Sequence, residues 1–479
     1  MNRFSCLVFL AACLLAAGCS APGVPSDAGA SADAAQATAD ASAPDAEAPS
    51  PADTGAPPDA GVSGVDAHVP GDAAGPMAGD AGAAPDAGLG VIHPAASCQA
   101  ADVNAALALA GPGDTVTVPA GTCTWSTAEP VRILKAVTLQ GAGVDVTHVT
   151  IGAGADYGGV LFLSADGATV QGFTFENTTG SYPLYADTTG FRITGNKFVG
   201  AGYGIEVIHA WGLIDANTFA QTSGEFIQTI GPCDSWQTPD SFGTADNVFI
   251  ENNHLAGGGY ITCNADARCV FRFNTITGSQ FFEAHQKCTN TNYCPGGETH
   301  RGPRQSEVYG NLWSTSENYF DWTDIYGGTA RIFDNRILVS AYLWLSLTEY
   351  SAQWTSGCWD YAKCNCTWPA LDQVGVGMDP IVGGSDPVYI WNNQMGPDVD
   401  HLAPVQVTVG SGEPCAVDGQ CGAGFSMSTL IAEGRDYFVS ATQPAAIAGY
   451  RPFACPHPRT GLKGTCDSSK PGQAGYLKP

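Results

Sequence analysis

The chain is 479 residues long, with 46 acidic side chains against 19 basic ones and a formal charge of −27 at neutral pH. A protein this acidic has no general attraction for nucleic acid or for any other polyanion, so an acidic substrate must meet a local basic patch. Its 17 cysteines point to an oxidising compartment in which thiols are paired.

Residues 1–19 hold one basic residue, Arg3, an apolar run over 7–17 and the ending Leu15-Ala16-Ala17-Gly18-Cys19. That pattern is an export signal, too short to span a bilayer stably. The ending resembles a bacterial lipobox, with Ala16 standing where Leu is usual. The resemblance implies that Cys19 becomes the lipidated first residue and that Ser20 directs the protein to the outer membrane or cell surface. The alternative is an ordinary secretory signal cut nearby.

Residues 20–92 collapse to Ala, Asp, Pro, Gly and Ser, with eleven acidic residues and no Lys or Arg. So little apolar surface does not offset chain entropy, and the composition predicts a disordered, self-repelling tether. Setting aside these acids and Arg3, residues 93–479 carry −17. That length exceeds an ordinary single core but suits a solenoid, which grows by stacking coils.

Residues 102–110 read as a short amphipathic helix with Asp102 as N-cap, Val103, Ala106, Leu107 and Ala110 on one face, and Gly111 as the stop. A helix here covers the open edge and apolar interior that a first coil exposes. Thr115 to Val118 and the turn Pro119-Ala120-Gly121 begin that coil.

From residue 191 onward one phrase returns: an apolar residue, Asn three places on, and another apolar residue two further. It occurs as Ile193/Asn196/Phe198, Ile214/Asn217/Phe219, Ile250/Asn253/Leu255, Phe271/Asn274/Ile276, Val308/Asn311/Trp313 and Ile332/Asn335/Ile337, with a weaker copy at Ile390/Asn393/Met395. The Asn to Asn steps of 21, 36, 21, 37, 24 and 58 residues are one turn of about 20 to 24 with insertions. The alternation within each copy is that of a strand. Asn at one phase of every coil fits a tight left-handed corner, with its amide bonding the next Asn about 4.8 Å away. The pattern predicts a right-handed parallel β-helix; an antiparallel sandwich has no need of Asn at a fixed phase.

The opening "DVNAALALAGPGDTVTVPAGTCTW", followed by "VTLQGAG" at 137–143 and "VQGFTFEN" at 170–177, resembles the pectate-lyase-like superfamily of right-handed parallel β-helix proteins. "EGRDYF" at 433–438 and "GYRPFACPHP" at 449–458 look like the C-terminal tail of bacterial β-helix repeat proteins. The resemblance covers nearly all of 97–460 and is specific for fold, weak for activity.

Fourteen cysteines remain after Cys6, Cys13 and Cys19 are set aside, an even number that suits disulfides. Cys263/Cys269, Cys288/Cys294, Cys358/Cys364 and Cys415/Cys421 are spaced as loop clips rather than zinc ligands. Cys98–Cys123, Cys455–Cys466 and Cys233–Cys366 are the remaining expected pairs, although sequence does not fix the connectivity.

The superfamily resemblance implies action on acidic polysaccharides. A lyase needs the uronate carboxylate neutralised, often by Ca²⁺, and a Lys, Arg, His or Tyr base for the C5 proton; a hydrolase needs flanking carboxylates. The motifs of polygalacturonases, of pectate lyase itself and of pectin methylesterases are absent, and no Asp-Asp pair exists in the chain. The looser pattern of the chondroitinase B and alginate lyase relatives, a Lys and an Arg near Ca²⁺, is closest.

Residues 283–304 are where this acidic body concentrates positive or titratable nitrogen: His285, Lys287, His300, Arg301 and Arg304, with Glu283 and Glu298 among them. In the lyase reading Lys287 or His285 is the base, Arg301 or Arg304 binds the carboxylate, His300 contacts the sugar and Glu283 helps hold the metal. The alternative is a solvated loop whose Arg residues pair with its own Glu residues. Asp321 and Asp324 complete an expected Ca²⁺ set with Glu283, but three residues apart on a strand they converge only if a turn intervenes. Six of the ten Trp fall between 313 and 368, and Trp322, Trp344 and Trp354 are the expected sugar-stacking faces, with packing roles as the alternative. His209 and His254 sit in or near rungs and read as packing residues.

The sequence therefore leaves two readings: a surface-tethered polysaccharide lyase acting by β-elimination on a uronate glycan, or a non-catalytic, adhesive glycan-binding β-helix. In both, the partner is a polysaccharide met by a monomer, the membrane is reached through a lipid alone, and no nucleic acid is involved.

Overall fold

The computed structural model describes residues 90–152, 158–177, 179–232, 234–278, 281–284, 303–314, 319–338, 342–349, 374–377, 385–396, 401–409 and 431–453. The expected signal segment, Cys19 and nearly all of the tether lie outside them. Among the described residues no helix is long and apolar enough to cross a membrane.

Each coil supplies three short strands, and each strand pairs in parallel with its counterparts one coil before and after, save His401–Leu402, which closes the second sheet antiparallel to Gln394–Met395. Three sheets result, of 12, 11 and 10 strands. The chain visits them in a fixed order, as in Phe191–Thr194 of the first sheet, Lys197–Gly200 of the second and Ile205–Ile208 of the third. Parallel crossovers coil right-handed. The molecule is the expected right-handed parallel β-helix.

Period-2 patterning decides what each strand buries. In the third sheet Leu184, Ile205, Ile227, Ile261 and Phe282 point inward on successive rungs and are solvent-free. In the second sheet Phe175, Phe198 and Phe219 stack ring on ring at 5.3 and 4.7 Å. Burying each such side chain contributes about 1.5–3 kcal/mol, repeated coil after coil.

The asparagines stand over one another. The backbone N–H of Asn217 donates to Asn253 Oδ1 at 3.0 Å, and its side-chain amide donates to the same oxygen at 3.1 Å and to the Ile193 carbonyl at 2.9 Å. The same scheme joins Asn196 to Asn217, and Asn253 through Asn274, Asn311 and Asn335 to Asn393. The left-handed corner falls one residue earlier than expected, on Gly195, Ala216, Asn252, Phe273, Gly310, Asp334 and Asn392, with φ between 50 and 65°. The ladder asparagine supplies the amide and its predecessor supplies the turn, which is why Ala and Phe are tolerated there at about 1–2 kcal/mol each.

The capping helix spans Ala100–Leu109 and buries Val103, Ala106 and Leu107 against the first coil. Its N-cap is Gln99, which makes no side-chain cap bond. Asp102 sits in the first turn and accepts from Ser97 Oγ at 2.5 Å instead. Ahead of it Ile92–Pro94 already pairs with Thr115–Val118, so ordered structure begins at the expected boundary of the tether. Cys98–Cys123 and Cys263–Cys269 are bonded as expected. The other expected pairs lie outside the described residues.

The outer face of the first sheet is covered. Trp236, on the short turn Ser235–Gln237, is buried, and Tyr450 and Phe453 of the tail pack against the aromatic row Tyr309, Phe333 and Trp391 or its neighbours. Charges beneath this cover are paired: Arg272 bonds Glu251 at 2.6 Å, the Tyr309 hydroxyl at 2.8 Å and the Phe453 carbonyl at 2.7 Å.

Candidate active site

The third sheet carries a different outer face. Register places Tyr185, Glu206, Gln228, Thr262, Glu283, Asp324 and Ser346 in one row, each beside the next on adjacent rungs. Their strand neighbours on both sides point into the core, so this row points out.

Two β-bulges add carboxylates to that face. In Glu225–Ile230 the register slips between Glu225 and Ile227, so Phe226 and Ile227 both go inward while Glu225 turns outward. In Tyr319–Ile325 it slips between Asp321 and Thr323; Trp322 and Thr323 are buried, and Asp321 and Asp324 share the outer side. The bulge does what a turn was expected to do. Bulges re-aim side chains and are enriched next to active sites.

Glu283 lies between these bulges. The residue is half-buried with its carboxyl at the buried end, and its pKa is pushed up to about 8, first by burial and then by the negative charges of Glu225 and Asp321, against a hydrogen bond with Tyr326 that pulls it down. Glu225 is held by hydroxyls, accepting from Thr262 Oγ at 2.7 Å and from Tyr182 at 3.2 Å. Burial and the facing Glu225 push the Tyr182 hydroxyl well above its ordinary value, so it donates. Gln228 donates to Glu206 at 2.8 Å. The centre thus holds one carboxylic acid protonated at neutral pH beside carboxylates fixed by donors, an arrangement suited to donating a proton to an oxygen.

Of the expected site residues, Glu283, Asp321 and Asp324 are brought to this face, with Glu283 beside Asp324 across the rung. Among the described residues no three His, Cys, Asp or Glu side chains converge as metal ligands, so as placed the three do not form the compact oxygen cage that Ca²⁺ takes. Two expectations are corrected. Trp322 stacks nothing in a groove; it is fully buried inside the coil, edge-on to Trp313 at 5.0 Å, because the bulge turns it inward. Arg304 heads a strand of the first sheet, and it is buried there beside the Trp236 ring and 3.5 Å from Asp386, which serves packing rather than substrate. His285, Lys287, His300, Arg301 and Trp354 lie outside the described residues, as does the side chain of Trp344.

Sequence reasoning missed Glu206, Glu225, Tyr182, Thr262 and Tyr326. A signal existed, since Glu206, Gln228, Thr262 and Glu283 fall ten, eleven, nine and nine residues after a ladder Asn. Unequal turns blur that phase, and the bulges hide Glu225 and Asp321.

No family model matches the chain, and no curated protein does. Among solved structures it is similar to an alginate lyase from Paenibacillus sp. str. FPU-7, at 14% identity and a TM-score of 0.34 over 53% of this chain and 97% of that one. It is also similar to the Azotobacter vinelandii mannuronan C-5 epimerase AlgE4 A-module, at 13% identity and 0.33 over 66% and 94%. A GH87 alpha-1,3-glucanase catalytic domain in complex with nigerose matches at 8% identity and 0.28 over 76% and 70%. The strand register alone carries the fold assignment: three long sheets of parallel strands in coil order are a parallel β-helix.

Proposed function

We propose that this is a carbohydrate-active β-helix protein whose glycan chain lies along the outer face of the third sheet and is cleaved there, with Glu283 as proton donor. The observation that carries this reading is a half-buried glutamate with its pKa raised to about 8, one rung from the bulge that carries Asp321 and two rungs from the bulge that carries Glu225. Proton donation to a glycosidic oxygen demands such a group, and Asp321 or Asp324 is the partner carboxylate on the facing rung. No step is routed through Ca²⁺.

The lyase reading stands as the second, because His285 and Lys287 directly follow the Glu283 strand in the chain, His300 and Arg301 precede the next one, and these are the residue types that abstract a C5 proton and hold a uronate. A non-catalytic glycan-binding role is the third outcome. By the same proposal the protein works at a cell surface, held by lipid at Cys19 on a tether whose r.m.s. reach is about 50 Å.

One assay separates these. The full chain is incubated with alginate, pectate, chondroitin sulfate and neutral glucans, with and without chelator, while reducing ends and the ultraviolet absorbance of unsaturated products are followed. The first reading predicts new reducing ends without absorbance, lost in Glu283→Gln. Absorbance supports the lyase, and binding with neither signal overturns both.

A further inference from the structure

The second sheet has an outer face that neither reading uses. Its outward row, by register, is Thr122, His148, Thr174, Lys197, Thr218, His254 and Thr275, continuing through Leu312 to Arg336. From Thr122 to Thr275 a threonine and a basic or titratable side chain alternate on successive rungs. Two rungs span about 10 Å, so the nitrogens recur at that interval.

This row stands apart from the rest of the molecule. Glu176 is the one acidic residue in the described strands of the sheet, and it accepts from His148 Nδ1 at 3.1 Å. Elsewhere the described cations are engaged: Arg192, Arg272, Arg304, Arg331 and Arg435 in ion pairs, Arg268 on Ser235, Lys135 and Arg451 on carbonyls, and Arg132 over the Phe162 ring. Among the described residues Lys197 and Arg336 have no ion-pair partner. His254, expected to be a packing residue, is exposed instead, with Thr277 Oγ 3.1 Å from its Nε2.

We propose that the outer face of the second sheet is a docking strip for an acidic polysaccharide lying along the coil axis, its anionic groups on Lys197, His254 and Arg336 and its hydroxyls on the interleaved Thr218 and Thr275. An acidic body has no general attraction for such a chain; this strip is the local patch that supplies it. It does not depend on Glu283. Flat pairing of threonine and cation on a rigid sheet favours an extended ligand with regularly spaced charge over a globular one.

The test is binding of the full chain to chondroitin sulfate and to alginate, with dextran, a DNA duplex and anionic vesicles alongside, at rising salt. The expected result is salt-sensitive binding to at least one acidic polysaccharide, weakened at least about fivefold in Lys197→Gln/Arg336→Gln. Both substituted side chains are on the surface, and an unchanged melting temperature confirms the fold. Equal binding by the double variant overturns the proposal, as does no binding to either acidic polysaccharide, or tighter binding of the duplex or vesicles. Loss of cleavage in Glu283→Gln with binding retained leaves this strip standing whatever becomes of the catalytic reading.

Discussion

The outer faces of the first and third sheets are built on the same coils yet treat charge in opposite ways. On the first, buried charged groups are paired: Arg272 with Glu251, Arg304 with Asp386, and Glu307 with the Tyr450 hydroxyl. Glu307 is pushed up by burial, but Tyr450, the Gly243 N–H and the nearby Arg272 and Arg331 all pull it back. On the third, Glu283 is pushed up by burial and pushed further by Glu225 and Asp321, with Tyr326 alone opposing. Paired charges under aromatic cover hold a fold together. Like charges gathered without cations to match them cost stability, and a protein keeps them where chemistry needs a displaced pKa.

The largest effect that sharpens this contrast is expected on the first sheet. Arg272→Met leaves Glu251, the Tyr309 hydroxyl and the Phe453 carbonyl without their common donor in a buried site. A loss of about 3–5 kcal/mol is expected by denaturant titration, with the tail more open to proteolysis. A loss below about 1 kcal/mol breaks the comparison.

A smaller effect of opposite sign is expected on the third. The raised pKa of Glu283 means that the folded state holds its proton more tightly than the unfolded chain, whose value is near 4.5. Glu283 therefore costs nothing below about pH 4.5, and its cost grows as pH rises to about 8. Glu283→Gln carries no such term, so the variant is expected to match the parent at pH 4 and to melt several degrees higher at pH 9. Equal melting temperatures at both pH values, or a less stable variant at pH 9, make the two faces energetically alike.

How much of this was legible in the sequence follows from what each feature requires. The ladder had to be readable, since Asn253 contacts Asn217 and Asn274 only if all three keep one phase of the coil. The helix cap and the Cys98–Cys123 bond were readable because both are local to the first coil. Trp322 and Asp321 were not, because a bulge breaks the alternation from which inside and outside are inferred. Arg304 was misassigned because a cation in a charged loop reads as solvated until Trp236 and Asp386, remote in sequence, are seen around it. Glu225 acts on Glu283 across intervening rungs, a relation the string of residues does not contain.

The central claim is that Glu283 keeps a proton at neutral pH. A pH titration of carboxyl carbon resonances in the full chain, with Glu283→Gln assigning the signal, measures it directly. The account predicts a midpoint near 8 that falls when Glu225 is replaced by Gln. A midpoint at the ordinary glutamate value of about 4.3 contradicts it.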